Sequence, residues 1–143
     1  VPCLFVGVDC EDFAPMLVCL DSTERSAQVF QAASDFARST GTKLQAVTVE
    51  PVWLNEPEDL AAKLPASRTM RLNRTLDRGT GPTDLRIRRG NVLSELLAEA
   101  SETGSRLLAF GYHRGGPPGI VEGGSVARGL LHSALCAVLT VPL

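Results

Sequence analysis

Short, wholly apolar runs alternate along this chain with segments whose apolar residues return every three or four positions. Met16 to Leu20 is an unbroken apolar run of five, typical of a strand buried on both faces. Asp21-Ser-Thr-Glu-Arg-Ser26 follows, where Ser22 or Thr23 can cap a helix and Glu24 suits its positive end. From Ala27 to Thr40, Ala27, Phe30, Ala33 and Ala37 recur at helical spacing; Val29 and Phe36 widen that face, and Gly41 stops it. Leu44 to Val49 reads as a second strand, ended by Pro51, and Leu85 to Arg89 as a half-exposed strand near a sheet edge. Gly90-Asn91 opens a helix with Val92, Leu93, Leu96, Leu97 and Ala100 on one face, ended by Gly104. A fourth strand over Arg106 to Phe110, a short helix over Ser125 to Ser133 and a fifth strand over Ala137 to Val141 complete the order.

Strand and helix in strict turn, with short connections, predict an α/β fold: a mostly parallel sheet covered by helices on both faces. A chain of 143 residues is most simply one domain, burying roughly 70% of its unfolded surface. That domain is expected over residues 16–143, with residues 1–15 as an N-terminal extension or linker. Within the extension, the apolar run Cys3-Leu-Phe-Val-Gly-Val8 either adds a strand to a sheet edge or belongs to a linker from another domain. The chain opens on Val1, which fits one piece of a longer protein. The pattern is weakest from Trp53 to Gly81. Pro65 breaks a helix expected after Pro57, and a later piece lines up Arg68, Arg71, Arg74 and Arg78, read as a solvated face in preference to an anion-facing stripe.

A net charge of −2, with no basic excess, argues against a nucleic-acid partner. Cys3, Cys10, Cys19 and Cys136 are scattered, and with His113 and His132 they complete no metal-ligand spacing. Cys19 and Cys136 lie in apolar runs, as thiols of a reduced, cytoplasmic protein do. No apolar stretch reaches membrane-spanning length, so no direct membrane insertion is expected.

Six of the thirteen glycines fall between Gly111 and Gly124, after the fourth strand and before the helix opened by Gly124-Ser125. Strand, glycine-rich loop and helix N-terminus together form an anion-binding layout, because the first helical N–H groups lack partners and face the ligand. The alternative is a low-complexity surface loop. In a doubly wound sheet, ligands bind beyond the carboxyl ends of the strands where strand order reverses, and Asp21 and Gly111 would flank that crevice. No set of residues assembles a catalytic centre: His113 has no partner in the motif, and Ser22, Ser26 and Ser125 lack a nucleophile elbow. Binding without efficient turnover is therefore expected, and the chain is read as no enzyme.

These residues together resemble the universal stress protein family over Met16 to Pro142. The start Met16-Leu-Val-Cys-Leu-Asp21 before a Ser-rich helix, the middle Arg88-Arg-Gly-Asn-Val-Leu-Ser-Glu-Leu-Leu97, and the end Leu107-Leu-Ala-Phe-Gly111, Gly124-Ser-Val-Ala-Arg128 and Cys136-Ala-Val-Leu-Thr-Val-Pro142 carry the likeness. The resemblance implies a single doubly wound, Rossmann-like domain whose five parallel strands lie in the order 3-2-1-4-5. Its nucleotide-binding branch has the motif G-x2-G-x9-G-[S/T]. Gly111, Gly124 and Ser125 match that motif, but Arg114 stands where the middle glycine belongs and Gly115 falls one residue late. Arg106 also departs from the usual acidic residue. The resemblance implies that Asp21 lies by the adenosine and Leu44 lines the adenine pocket, with Gly111, Gly124 and Ser125 on ribose or phosphates. For Asp21 the equal alternative is a helix-capping carboxylate, and Leu44 is as readily core. Arg114 either contacts phosphate itself or forces a loop shift that recruits Gly115.

The function expected is a stress-response regulatory module that binds ATP or AMP, with Mg2+ accompanying ATP. Two alternatives stand beside it: a dimeric module of the same fold that binds no nucleotide, and the regulatory domain of a larger transporter or sensor. Ala137 to Val141, almost wholly apolar and at the expected sheet edge, predicts a homodimer through that strand unless Cys3 to Val8 covers it.

Overall fold

A computed structural model describes residues 2–6, 12–21, 25–51, 84–112, 124–133 and 136–143. The elements are β1 (Cys3–Phe5), β2 (Met16–Leu20), α1 (Ser26–Thr40), β3 (Leu44–Pro51), β4 (Leu85–Gly90), α2 (Val92–Thr103), β5 (Leu107–Tyr112), α3 (Gly124–Ser133) and β6 (Ala137–Pro142). They form an α/β fold around one six-stranded sheet in the order β1-β6-β5-β2-β3-β4. The five parallel members follow one another as β4-β3-β2-β5-β6, the expected succession. Among the described residues the sheet is nonetheless mixed rather than parallel throughout, with six strands rather than five. β1 pairs antiparallel with β6, in the register Cys3↔Thr140, Leu4↔Leu139 and Phe5↔Val138.

That sixth strand corrects the expected dimer interface. Ala137 to Val141 is not an open edge: β1 occupies its outer side, and Val138, Leu139, Thr140 and Val141 are buried. The physical reason for dimerisation through β6, unsatisfied backbone groups on an apolar edge, is removed within the chain itself.

Successive side chains of a strand point to opposite faces, and the core divides accordingly. Met16, Val18 and Leu20 join Leu107, Ala109, Leu139 and Val141 under α1, which contributes Val29, Phe30, Ala33 and Ala37. Leu17 and Cys19 join Val47, Leu108, Phe110 and Val138 on the other face, under Leu96 of α2 and Ala127 and Leu130 of α3. Phe13, from the segment expected as linker, packs its ring edge-on against Phe36 of α1, with centroids 5.6 Å apart.

Both predicted helix stops are glycines in the left-handed region, Gly41 at φ 66° and Gly104 at φ 63°. Each donates its N–H back to the last turn. Asn91 caps α2 by accepting the Ser94 N–H at 3.1 Å. The Arg68 to Arg78 stripe and the expected Ser22 or Thr23 cap lie outside the described residues.

On the outer strand β4, Arg88 reaches over to α2. Its guanidinium donates to Glu95 at 2.7 Å, Glu99 at 2.7 Å and Glu102 at 2.8 Å. Arg86 adds a 3.3 Å contact to Glu99, whose side chain is only 3% exposed. On the same side of the sheet, Gly129 of α3 meets α2 so closely that a Cβ there would lie 2.5 Å from Leu93 Cδ2.

The Cys19 thiol sits in the core, and burial, with Cys136 adding to it, raises its pKa from 9.0 to about 12. The native thiol is therefore expected to resist Ellman's reagent at pH 8, reacting only as fast as the protein unfolds. The raised value also makes stability pH-dependent. Its contribution is complete below pH 9.0 and is lost as pH rises towards about 12. Urea titrations between those limits should show a steeper loss of stability in the wild type than in Cys19→Ala. Equal slopes would mean that the thiol is not buried as described.

Candidate functional site

Strand order reverses between β2 and β5. From β2 the chain passes through α1 to β3 on one side, whereas β5 leads through α3 to β6 on the other. The connections leaving the carboxyl ends of β2 and β5 therefore diverge, opening a crevice above the middle of the sheet. Asp21 stands directly after β2, Gly111 and Tyr112 end β5, and α3 opens with Gly124 and Ser125. A helix that connects two parallel strands runs back across the sheet, so the N-terminus of α3 lies on this same side.

Asp21 is held in place from α1. Ser26 Oγ lies 2.8 Å from Asp21 Oδ1 and 2.6 Å from the Asp21 carbonyl oxygen, and it accepts the Asp21 N–H at 3.0 Å. Ser26 is buried while Asp21 is exposed. One hydroxyl thus fixes the end of the strand and aims its carboxylate, and Asp21 is both helix partner and accessible acceptor. Ser26 was not expected in this role. Its signal in the sequence is the five-residue step from a strand-ending Asp to the first helical Ser.

Gly111 has a structural reason to be glycine that the motif alone does not reveal. A Cβ there would lie 2.7 Å from Val29 Cγ2 and 2.7 Å from Leu143 Cδ1. Its lack of a side chain lets α1 and the chain end close on β5.

Leu44 is placed elsewhere. It pairs with Met16 at the amino end of β2 and packs half-buried against the core under α1. Asp21 lies five residues further along β2, about 16 Å away at the usual strand rise. Leu44 and Asp21 therefore do not share a pocket. The part of β3 that reaches the carboxyl side is Val49 to Pro51, with Thr48 opposite Leu20. Leu44 opens its strand, so it lies at the end away from the carboxyl side, and the register confirms this.

Arg114, Gly115 and His113 lie outside the described residues. Among the described residues, no group of three or more His, Cys, Asp or Glu is placed to hold a metal ion. Among them too, no helix is long and apolar enough to cross a membrane.

A search of curated protein sequences returned no match. Solved structures do match. A Pseudomonas aeruginosa UCBPP-PA14 protein assigned to the universal stress proteins is 19% identical, with a TM-score of 0.74 over 99% of this chain and 52% of its own. A universal stress protein in complex with cAMP is 18% identical, with a TM-score of 0.63 over 91% of this chain and 97% of its own. The Archaeoglobus fulgidus universal stress protein in complex with dAMP is 18% identical, with a TM-score of 0.58 over 90% and 97%. At these identities the likeness establishes the fold. The sequence model of the universal stress protein family matches residues 13–142, from Phe13 on the core to the end of β6. A match across every element from β2 to β6 is more than shared architecture: the chain belongs to the universal stress protein family.

Proposed function

We propose that this chain is a regulatory module that binds an adenine nucleotide at the carboxyl ends of β2 and β5. One observation carries the reading: the crevice where strand order reverses is flanked by Asp21, at the end of β2, and by the start and finish of the motif, Gly111 and Gly124-Ser125. The chemistry of these groups suits the ligand. A fixed, exposed carboxylate accepts hydrogen bonds from ribose hydroxyls, and the N–H groups of the first turn of α3, which no helical carbonyl can take, donate to phosphate oxygens. Relatives of this fold that hold cAMP and dAMP support an adenine base.

The module works as a binder rather than a catalyst, and its role is in a stress response, in keeping with its family. AMP or ATP is the ligand, and Mg2+ enters only with the phosphates of ATP. Arg114, in place of the middle motif glycine, favours a second reading, the same fold without a nucleotide. Each hydrogen bond to a charged phosphate oxygen contributes about 1.5–3 kcal/mol. Without two of them, a micromolar site becomes a roughly millimolar one.

Calorimetry decides between the two. AMP and ATP are expected to bind the wild type with weak affinity. Asp21→Asn is expected to weaken binding about tenfold, by loss of a charged acceptor. Gly124→Val should weaken it further by blocking the end of α3. Absence of heat at millimolar nucleotide would leave the nucleotide-free module as the function. Binding untouched by Gly124→Val would place the site elsewhere on the protein.

A further inference from the structure

Among the described residues, β1 is left largely exposed. Leu4 is 39% exposed, Phe5 54% and Val6 50%, whereas β2, β5 and β6 are almost entirely buried. Its main contact among the described elements is β6. An apolar strand of this kind is stable in water only when both its faces and its outer edge are covered.

Its sequence shows what it is. Pro2-Cys-Leu-Phe-Val6 matches Ala137-Val-Leu-Thr-Val141 in character: Leu4 aligns with Leu139 and Val6 with Val141, and apolar residues fill most of the remaining positions. In this alignment Cys3 is the counterpart of Val138, and Phe5 that of Thr140. The pairing register, an independent observation, agrees with it. Leu4 sits directly opposite its own counterpart Leu139, Cys3 opposite Thr140, and Phe5 opposite Val138. Cys3 thus faces the counterpart of Phe5, and Phe5 faces that of Cys3, as two copies of one strand do about a two-fold axis. A shift of one residue in the pairing would move that axis off the two leucines.

The comparisons divide along the same line. Similar structures of about this chain's length cover 90–92% of it. Those about twice its length cover 99%. The model of the single family domain begins only at residue 13, beyond β1.

We infer that Cys3–Phe5 is the last strand of a preceding domain of the same fold in the same polypeptide, and that β1·β6 is the seam joining the two. The sheet then continues through β1 into the preceding domain, whose helices cover Leu4, Phe5 and Val6. The two domains are related by an approximate two-fold axis at Leu4 and Leu139. The inference does not depend on nucleotide binding and would survive its failure.

Two measurements on the natural protein test it. Reading the coding frame upstream of Val1 should reveal a further strand–helix series of about one domain's length, running without a stop into Cys3. A start codon within a few residues of Val1, or an unrelated upstream sequence, would overturn the inference. Hydrogen exchange on the full-length wild type then tests the seam. As an interior strand, β1 should have its amides protected on both edges, with those directed away from β6 exchanging within about tenfold of those directed towards it. Protection only on the β6 side, with the outward amides exchanging freely, would mean that the preceding domain does not continue the sheet. This measurement needs no variant, so it does not depend on any substituted chain folding.

Discussion

Arg88→Ala should clearly destabilise the fold, because removing one partner of an ion pair leaves the other charge uncompensated. The loss arises at Glu99, whose carboxylate is almost wholly buried and would be left with Arg86 at 3.3 Å as its main countercharge. Arg86 is itself well exposed and compensates only in part. In a thermal melt followed by circular dichroism, the midpoint should fall by about 5 °C or more. Adding Glu99→Gln to Arg88→Ala should recover much of the loss, since a neutral amide tolerates burial better than an unpaired charge. An unchanged midpoint would show that water reaches Glu99 and that the pair is a surface one. Acid provides a second check. Arg88 holds the Glu102 carboxyl below its usual 4.5 by hydrogen bonding and charge. The pairing therefore stabilises above that pH and is lost as pH falls through the lowered value. The variant should lose stability less steeply than the wild type in that acid range.

Gly111→Ala should cost about 1–3 kcal/mol through overpacking. A Cβ there would lie 2.7 Å from both Leu143 and Val29, and Val29 is buried on the inner face of α1. Combining Gly111→Ala with Val29→Ala should therefore be less destabilising than the sum of the two. A double-mutant cycle in urea would measure that coupling. Additive losses would mean that the glycine is not held by Val29. The result also bears on function, because a Gly111 variant that fails to bind nucleotide has first lost packing. Asp21→Asn and Gly124→Val are the cleaner probes of the ligand.

The strands and helices were legible because apolar period and helix stops are local. Met16–Leu20 needed only its run of five, and Gly41 and Gly104 needed only their place after an apolar face. What was not legible depends on neighbours far apart in sequence. The run Cys3–Phe5 reads as a possible edge strand, but that the edge it covers is β6, 132 or more residues later, is fixed only by the pairing. Leu44 takes on a site role only through the resemblance; it opens its strand, and its pairing with Met16 places it at the amino end. Gly111 reads as a ligand contact because its motif is visible in sequence while Val29 and Leu143 are not visible as neighbours. Arg88 reads as one half of an alternating edge pattern, although Glu95, Glu99 and Glu102 stand at the seven-, eleven- and fourteen-residue steps that bring them to it.

Gly129 has a reach beyond its own contact. With no side chain between α3 and Leu93, the distance between α2 and α3 is set by backbone against side chain. Five and four residues earlier on the same rigid helix stand Gly124 and Ser125. Residue 129 thus acts as a spacer shim: each added carbon tilts or lifts the whole rod, displacing the helix end that faces the crevice without touching it. Within this fold, the size of one side chain on the rear of a helix is a means of tuning ligand geometry from a distance.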